Sequence, residues 1–96
     1  MHVLSRKALR EFWTVHPDAE RPLRRWYHTA MKAKWSSFAE VRATYGTADQ
    51  VDRFAVFNIA GNKYRLIAVI HYNRSKVFVR HVLTHKEYDL GKWKDD

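Results

Sequence analysis

Hydrophobic positions follow a helical period up to about residue 43 and a strand period from about residue 53 onward. His2-Val3-Leu4 opens as a short strand, and Ser5 stands where a helix N-cap belongs. Arg6 to Trp13 then reads as a helix with Ala8, Leu9, Phe12 and Trp13 along one face. His16-Pro17-Asp18 interrupts it, because the residue before a proline is pushed out of the helical region. A second helix begins near Ala19 or Glu20, which leaves Pro22 in its first turn, where proline is tolerated. Leu23, Trp26, Tyr27, Ala30 and Met31 recur at helical spacing, with Arg21, Arg24, Arg25, His28 and Lys32 largely on the other side. Ser37-Phe38-Ala39-Glu40 has capping-box spacing and predicts a short third helix through about Ala43, ended by the Gly46 region.

After that the period changes. Arg53–Ile59, Lys63–Ile70 and Lys76–Leu83 are rich in β-branched and aromatic residues, and Ala60-Gly61-Asn62 and Tyr72-Asn73-Arg74-Ser75 separate them. Three strands joined by such short turns predict an antiparallel meander. Thr84-His85-Lys86-Glu87 again has capping-box spacing, so the last strand runs into a helical turn carrying His85 and Tyr88. Lys92-Trp93-Lys94-Asp95-Asp96 reads as a polar end that frays. Helices followed by strands, with no repeat or low-complexity stretch between them, predict an α+β fold in one domain over residues 1–96.

Composition narrows the class. At 46% hydrophobic and 15% aromatic, the chain has the apolar side chains for a core and does not read as disordered. With no cysteine, disulfide frameworks, thiolate catalysis and cysteine-ligated zinc are excluded. No apolar run reaches the roughly 18 residues of a membrane span, and the start lacks the apolar stretch of a signal peptide, so a cytoplasmic protein without membrane contact is expected. Eighteen Lys and Arg against ten Asp and Glu give a formal charge of +8, with nine of the basic residues in each half of the chain, so neither half is a detachable charged tail. A folded basic domain suits a polyanion, since neutralised phosphates release counterions, although an acidic protein would answer the same charge.

A chemical site emerges from the second hairpin. Closing it on Asn73-Arg74 makes Tyr72 face Ser75, which puts Arg65 opposite Val82, Ile67 opposite Arg80 and Lys63 opposite Thr84. Lys63, Arg65 and Arg80 then project from one face, and His85 starts a helical turn at the same end. Neither strand contains Asp or Glu, so a phosphate is the natural partner of these cations, favoured further by the free N–H groups at Thr84–Glu87. His85 and Tyr88, three positions apart, add two groups capable of proton transfer. The plainer reading is that strand Arg and Lys are solvated and that a Tyr after a strand is core. A slip of one residue would also put Arg80 on the face opposite Arg65.

Other signals exclude more than they suggest. The six histidines show no HExxH or other zinc spacing, and GxxxxGK[ST], GxGxxG and GxSxG are absent, so neither a metal nor a cofactor is expected. Arg24, Arg25, Lys32, Lys34, Lys86, Lys92 and Lys94 are the candidates for generic attraction to RNA. Trp26 and Tyr27 could stack bases among these cations, but their helical spacing fits core positions better. Trp13, Trp26, Trp35 and Trp93 could also leave exposed aromatic surface for a protein partner.

The blocks Val56-Phe57-Asn58-Ile59-Ala60-Gly61-Asn62-Lys63-Tyr64-Arg65-Leu66, Val79-Arg80 and Thr84-His85-Lys86-Glu87-Tyr88-Asp89, with Ser5 to Phe12, resemble HigB-type toxins of bacterial type II toxin–antitoxin modules. The resemblance runs essentially end to end. It implies a RelE-like fold, a small twisted antiparallel sheet packed on two N-terminal helices with a short C-terminal helical turn. It also implies a metal-independent mRNA endoribonuclease acting on the ribosome, on mRNA in the A site, through attack by the 2′-hydroxyl. A HigA-type helix-turn-helix antitoxin would hold it inactive. On this reading Arg65, His85 and Tyr88 are catalytic, with Lys63 and Arg80 as neighbouring cations. Arg65 and Arg80 would meet the phosphate, His85 and Tyr88 would move protons or orient the 2′-hydroxyl, and Lys63 would lend electrostatic support. The alternative is a non-catalytic basic module that binds RNA or the ribosome.

Overall fold

The amphipathic segments fold as helices where their spacing places them. In the computed structural model, which describes residues 1–95, β1 (His2–Leu4) leads into α1 (Arg6–Val15) and a 3-10 turn (Pro17–Ala19). Then follow α2 (Glu20–Lys32) and α3 (Phe38–Thr44). Pro22 is in the first turn of α2, and Leu23, Trp26 and Ala30 are its buried stripe. Met31 stays 46% exposed, since α2 ends one residue later. Ser5 and Ser37 occupy N-cap positions without a side-chain cap bond. At α3 the Glu40 carboxylate instead accepts from the backbone N–H and the hydroxyl of Ser36, both at 2.6 Å.

Strands β3 (Phe54–Ile59), β4 (Tyr64–His71) and β5 (Lys76–Thr84) form the expected meander, and short strands extend it at both edges. β2 (Asp49–Val51) pairs antiparallel with β3, and β1 pairs parallel with β5, so the sheet order is β1-β5-β4-β3-β2. The sheet is therefore antiparallel everywhere except at β1. β2 left no sequence signal, because three edge residues, two of them polar, are too few to show alternation.

The register of the second hairpin corrects the expected one. Near the turn His71 faces Lys76 and Ala68 faces Val79, as anticipated, although the turn itself is a 3-10 segment (Tyr72–Arg74) closed by Ser75 at φ 55°. Beyond it a β-bulge shifts the pairing by one residue. Ile67 faces His81 rather than Arg80, Arg65 faces Leu83 rather than Val82, and Thr84 faces Tyr64 rather than Lys63. Val77, Val79 and Val82 all pack toward the helices. Two residues separate Val79 from Val82, so strict alternation cannot turn both inward, and Arg80 is extruded as the extra residue.

The two sheet faces are covered unequally. Phe57, Ile59, Tyr64, Leu66, Ala68 and Val77 pack under Leu9, Leu23, Trp26 and Val41 of the helices. Phe54, Val56 and Ile67 on the other face are capped by Trp93, from a 3-10 turn (Lys92–Asp95) that follows α4 (His85–Leu90). Trp93 is 4% exposed, so the C-terminal residues expected to fray as a polar end instead close a second small core, and Asp96 lies outside the described residues. Trp26 and Trp35 are buried too, whereas Trp13 is only half-buried, with the Arg24 guanidinium 4.7 Å over its ring, so among the described residues it is the one tryptophan that keeps surface for a partner. Among the described residues no helix is long and apolar enough to cross a membrane.

Candidate active site

Alternation along β4 turns Arg65, Ile67 and Val69 away from the helices, toward the thinly covered face. Arg65 sits near the start of β4 and is 8% exposed, the one buried charged residue among those described. Its Nη1 donates to the carbonyls of Asn62 at 3.1 Å and Tyr64 at 3.3 Å, and its Nη2 donates to Asn62 Oδ1 at 2.5 Å. These partners are neutral, so they fix the plane of the guanidinium without cancelling its charge.

The ring that meets this cation comes from α4. Thr84 caps α4 by a complete capping box, in which the Glu87 N–H donates to Thr84 Oγ1 at 3.2 Å and the Thr84 N–H donates to Glu87 Oε1 at 2.9 Å. The Arg65 guanidinium carbon stands 5.2 Å from the Tyr88 ring centroid, within cation–π range. Tyr88 in turn stacks on Trp93 at 5.2 Å, and Trp93 donates from Nε1 to the Tyr88 carbonyl at 3.0 Å. Trp93 meets Phe54 edge-on, which ties the whole stack to β3. His85 opens α4. Its backbone N–H donates to the Lys63 carbonyl at 3.2 Å, and its Nδ1 lies 3.0 Å from Asp89 Oδ2.

Arg65, Tyr88 and His85 are thus gathered at one end of the sheet by one strand and one short helix, whereas the other two expected cations are placed differently. Lys63 lies in the turn before β4 and its ammonium pairs with Asp18 on the helix side. Asp18 also accepts from the Tyr64 hydroxyl at 2.7 Å. These bonds hold the Asp18 carboxyl below its usual range, the Lys63 ammonium above its own, and the Tyr64 phenol above its own. Arg80, extruded by the bulge, is exposed at the sheet edge, where it and His81 line shallow clefts beside Leu4 and Ser5 on one side and Phe12 and Glu87 on the other. A single face carrying Lys63, Arg65 and Arg80 is not what the strands adopt. The bulge moves one of them, and a carboxylate from the 3-10 turn captures another.

Sequence reasoning missed Asn62, Asp18 and His81. Asn62 looked like a turn residue, and nothing local reveals that its amide grips Arg65 three positions on. Asp18 is 45 residues from its partner Lys63. His81 joins the Arg65 face only because of the bulge. Of the cations proposed for generic RNA attraction, Arg24 pairs with Glu20 at 2.8 Å while covering Trp13, and the Lys94 ammonium lies 5.6 Å over Trp93. Arg25, Lys32, Lys34, Lys86 and Lys92 are exposed. Trp26 and Tyr27 are not base platforms: the first is core and the second is half-buried beneath Arg6, at 5.1 Å.

With this geometry in hand, comparison with known proteins is informative. Residues 19–91 match the family model for HigB toxin, described as the RelE-like toxic component of a toxin–antitoxin system. The chain is 30% identical over 93 residues to the mRNA interferase toxin HigB of Escherichia coli K12, covering 94% of this chain and 89% of that protein. The mRNA interferase HigB of Shigella flexneri gives the same values. That of Escherichia coli O6:H1 is 27% identical over 92 residues, with 93% and 89% coverage.

Proposed function

The chain belongs to the HigB family of RelE-like toxins, and on that premise we propose that it is an endoribonuclease that cuts mRNA on the translating ribosome without a metal ion. One observation carries this reading: a buried guanidinium, oriented by neutral partners and laid against a tyrosine, stands at the capped start of a helix that also bears a histidine. A charge kept out of water but not neutralised suits a scissile phosphate that supplies the missing anion.

In the proposed reaction the 2′-hydroxyl loses its proton and its oxygen attacks the adjacent phosphorus. The bond to the 5′-oxygen breaks, that oxygen takes up a proton, and a 2′,3′-cyclic phosphate remains. Arg65 meets the charge that builds on the phosphoryl oxygens. Asp89 beside Nδ1 of His85 favours a proton there and leaves Nε2 for proton transfer. The Tyr88 hydroxyl orients the 2′-oxygen or serves as the other proton carrier. Arg80 approaches from the sheet edge to the flanking phosphate, and the exposed cations of α2, Lys86 and Lys92 attract ribosomal RNA.

A toxin of such a module has an antitoxin as its partner. We place a HigA-type helix-turn-helix protein in that role, mRNA in the ribosomal A site as the substrate, and the cytoplasm as the compartment. The test is Arg65→Ala, His85→Ala and Tyr88→Phe, each confirmed as folded, scored by growth arrest and by mRNA cleavage during translation. Arg65→Ala and His85→Ala should each lose about a hundredfold in rate, and Tyr88→Phe, which keeps the ring stack, less. A 2′-deoxy nucleotide at the scissile position should abolish cleavage. Full activity in all three variants, or cleavage of the deoxy substrate, would overturn the reading.

A further inference from the structure

We propose that Asp18 is a positioning residue for this site: from the helix side of the sheet it pins the Ala60–Lys63 turn, and through that turn it sets where Arg65 and His85 stand. The inference rests on the reading of Arg65 and His85 given above. Two consecutive turn residues do the holding. Asn62 grips the Arg65 guanidinium through its carbonyl and its amide oxygen, and the Lys63 carbonyl accepts the first N–H of α4, from His85. The turn itself is irregular, with Ala60 at φ 55° and Gly61 at φ 67°, and one backbone bond of 3.3 Å from the Lys63 N–H to the Ala60 carbonyl closes it.

What fixes such a turn in space must come from outside it. The Lys63 side chain and that of its neighbour Tyr64 end on the same carboxylate, Asp18. Tyr64 is 4% exposed and packs edge-on against Phe12 at 5.1 Å, so one arm of this clamp is anchored in the helix-backed core. The other arm, from Lys63, is exposed, and exposed ion pairs contribute little to global stability. The effect therefore belongs in the rate. A displacement of about 1 Å at a reacting group costs up to about a hundredfold, which an unpinned turn would supply to Arg65 and His85 together.

The experiment compares Asp18→Asn, Lys63→Met and the exchange Asp18→Lys with Lys63→Asp in the full chain, with Arg65→Ala as reference. Cleavage is measured in a translating extract as a function of ribosome concentration. Each single variant should lower the maximal rate about tenfold, with the half-saturating ribosome concentration and the melting temperature close to wild type. The exchange should restore most of the rate. Hydrogen exchange at the His85 amide reads the geometry directly and should quicken about tenfold in Asp18→Asn while amides in α2 keep their rates. A wild-type or raised rate in Asp18→Asn, with Arg65→Ala inactive, overturns the proposal alone and makes Lys63 a phosphate-binding cation that Asp18 restrains. An unchanged His85 amide overturns it on geometry. Full activity of Arg65→Ala overturns the site reading, and the proposal with it.

Discussion

On one face of the sheet Phe57, Leu66, Ala68 and Val77 lie beneath three helices and are at most 1% exposed; on the other, Val56 and Ile67 are sealed by a single tryptophan and a six-residue helix. The first face contains the bulk of the buried apolar surface, at about 1.5–3 kcal/mol for each large side chain. The second buries just enough to hold one ring stack, Phe54–Trp93–Tyr88, and ends on Arg65. That difference teaches how so small a domain keeps a cation buried under a thin cover. On the proposed function, a face covered as deeply as the first would bar a phosphate from Arg65, and an uncovered face would let the guanidinium swing free in water.

Cutting into each face should separate stability from chemistry. Phe57→Ala removes a ring fully enclosed by the helices and should cost about 3–5 kcal/mol, lowering the melting temperature by more than ten degrees while the molecules that remain folded cleave at the normal rate. Trp93→Ala opens the smaller core, where α4 can settle into the gap, and should cost nearer 3 kcal/mol. Its larger effect should be on rate, because Tyr88 loses the ring that holds it over Arg65. Thermal melts combined with cleavage normalised to the folded fraction would decide, and a normal rate per folded Trp93→Ala molecule would break the distinction between the faces.

This contrast also explains what could be read from sequence. The helix-backed face was legible in part: Leu23, Trp26 and Ala30 on α2 predict their burial directly by their spacing, and β3 and β4 read as strands from β-branched and aromatic content, although their near-continuous apolar runs do not say which face each residue joins. At the site, Arg65, His85 and Tyr88 were legible as residues of one sheet end, and the Thr84–Glu87 capping box formed as spacing predicted. The positions of Arg80 and Lys63 were not. The bulge depends on whether Val79 and Val82 both turn inward, a demand of the helices rather than of β5, and the Lys63–Asp18 pair joins parts of the chain far apart. The buried role of Trp93 was hidden for a similar reason, since a tryptophan between two lysines near a chain end carries no periodicity.

Thr84→Ala probes the thin face with a smaller change. Losing the hydroxyl removes the bond from the Glu87 N–H and one half of the capping box, which should cost about 1 kcal/mol. The loss should be local: amides in α4 should exchange faster while those of Leu66 and Ala68 follow only the global change. Thr84→Ser keeps the cap and should restore both. A uniform increase in exchange over the entire sheet would show that the two faces unfold as one unit rather than in sequence.

Acid titration gives the smallest effect and compares two carboxylates across the same divide. Asp18 is held below its usual range by the Lys63 ammonium first and the Tyr64 hydroxyl second, and Glu40 by the hydroxyl and the N–H of Ser36. For a group whose folded value is depressed, the stabilisation is complete above the unfolded value, near 4, and is lost as pH falls through the folded value. Urea midpoints should therefore be insensitive to both groups at neutral pH and should decline through them below about pH 4. Asp18→Asn and Glu40→Gln should each flatten that acid limb. Only Asp18 joins the helix side to the turn beneath Arg65, so acidification should quicken His85 amide exchange, after correction for intrinsic rates, in wild type and in Glu40→Gln but add nothing in Asp18→Asn. If Glu40→Gln alone removed the acid response at His85, the link between the faces would run through α3 instead.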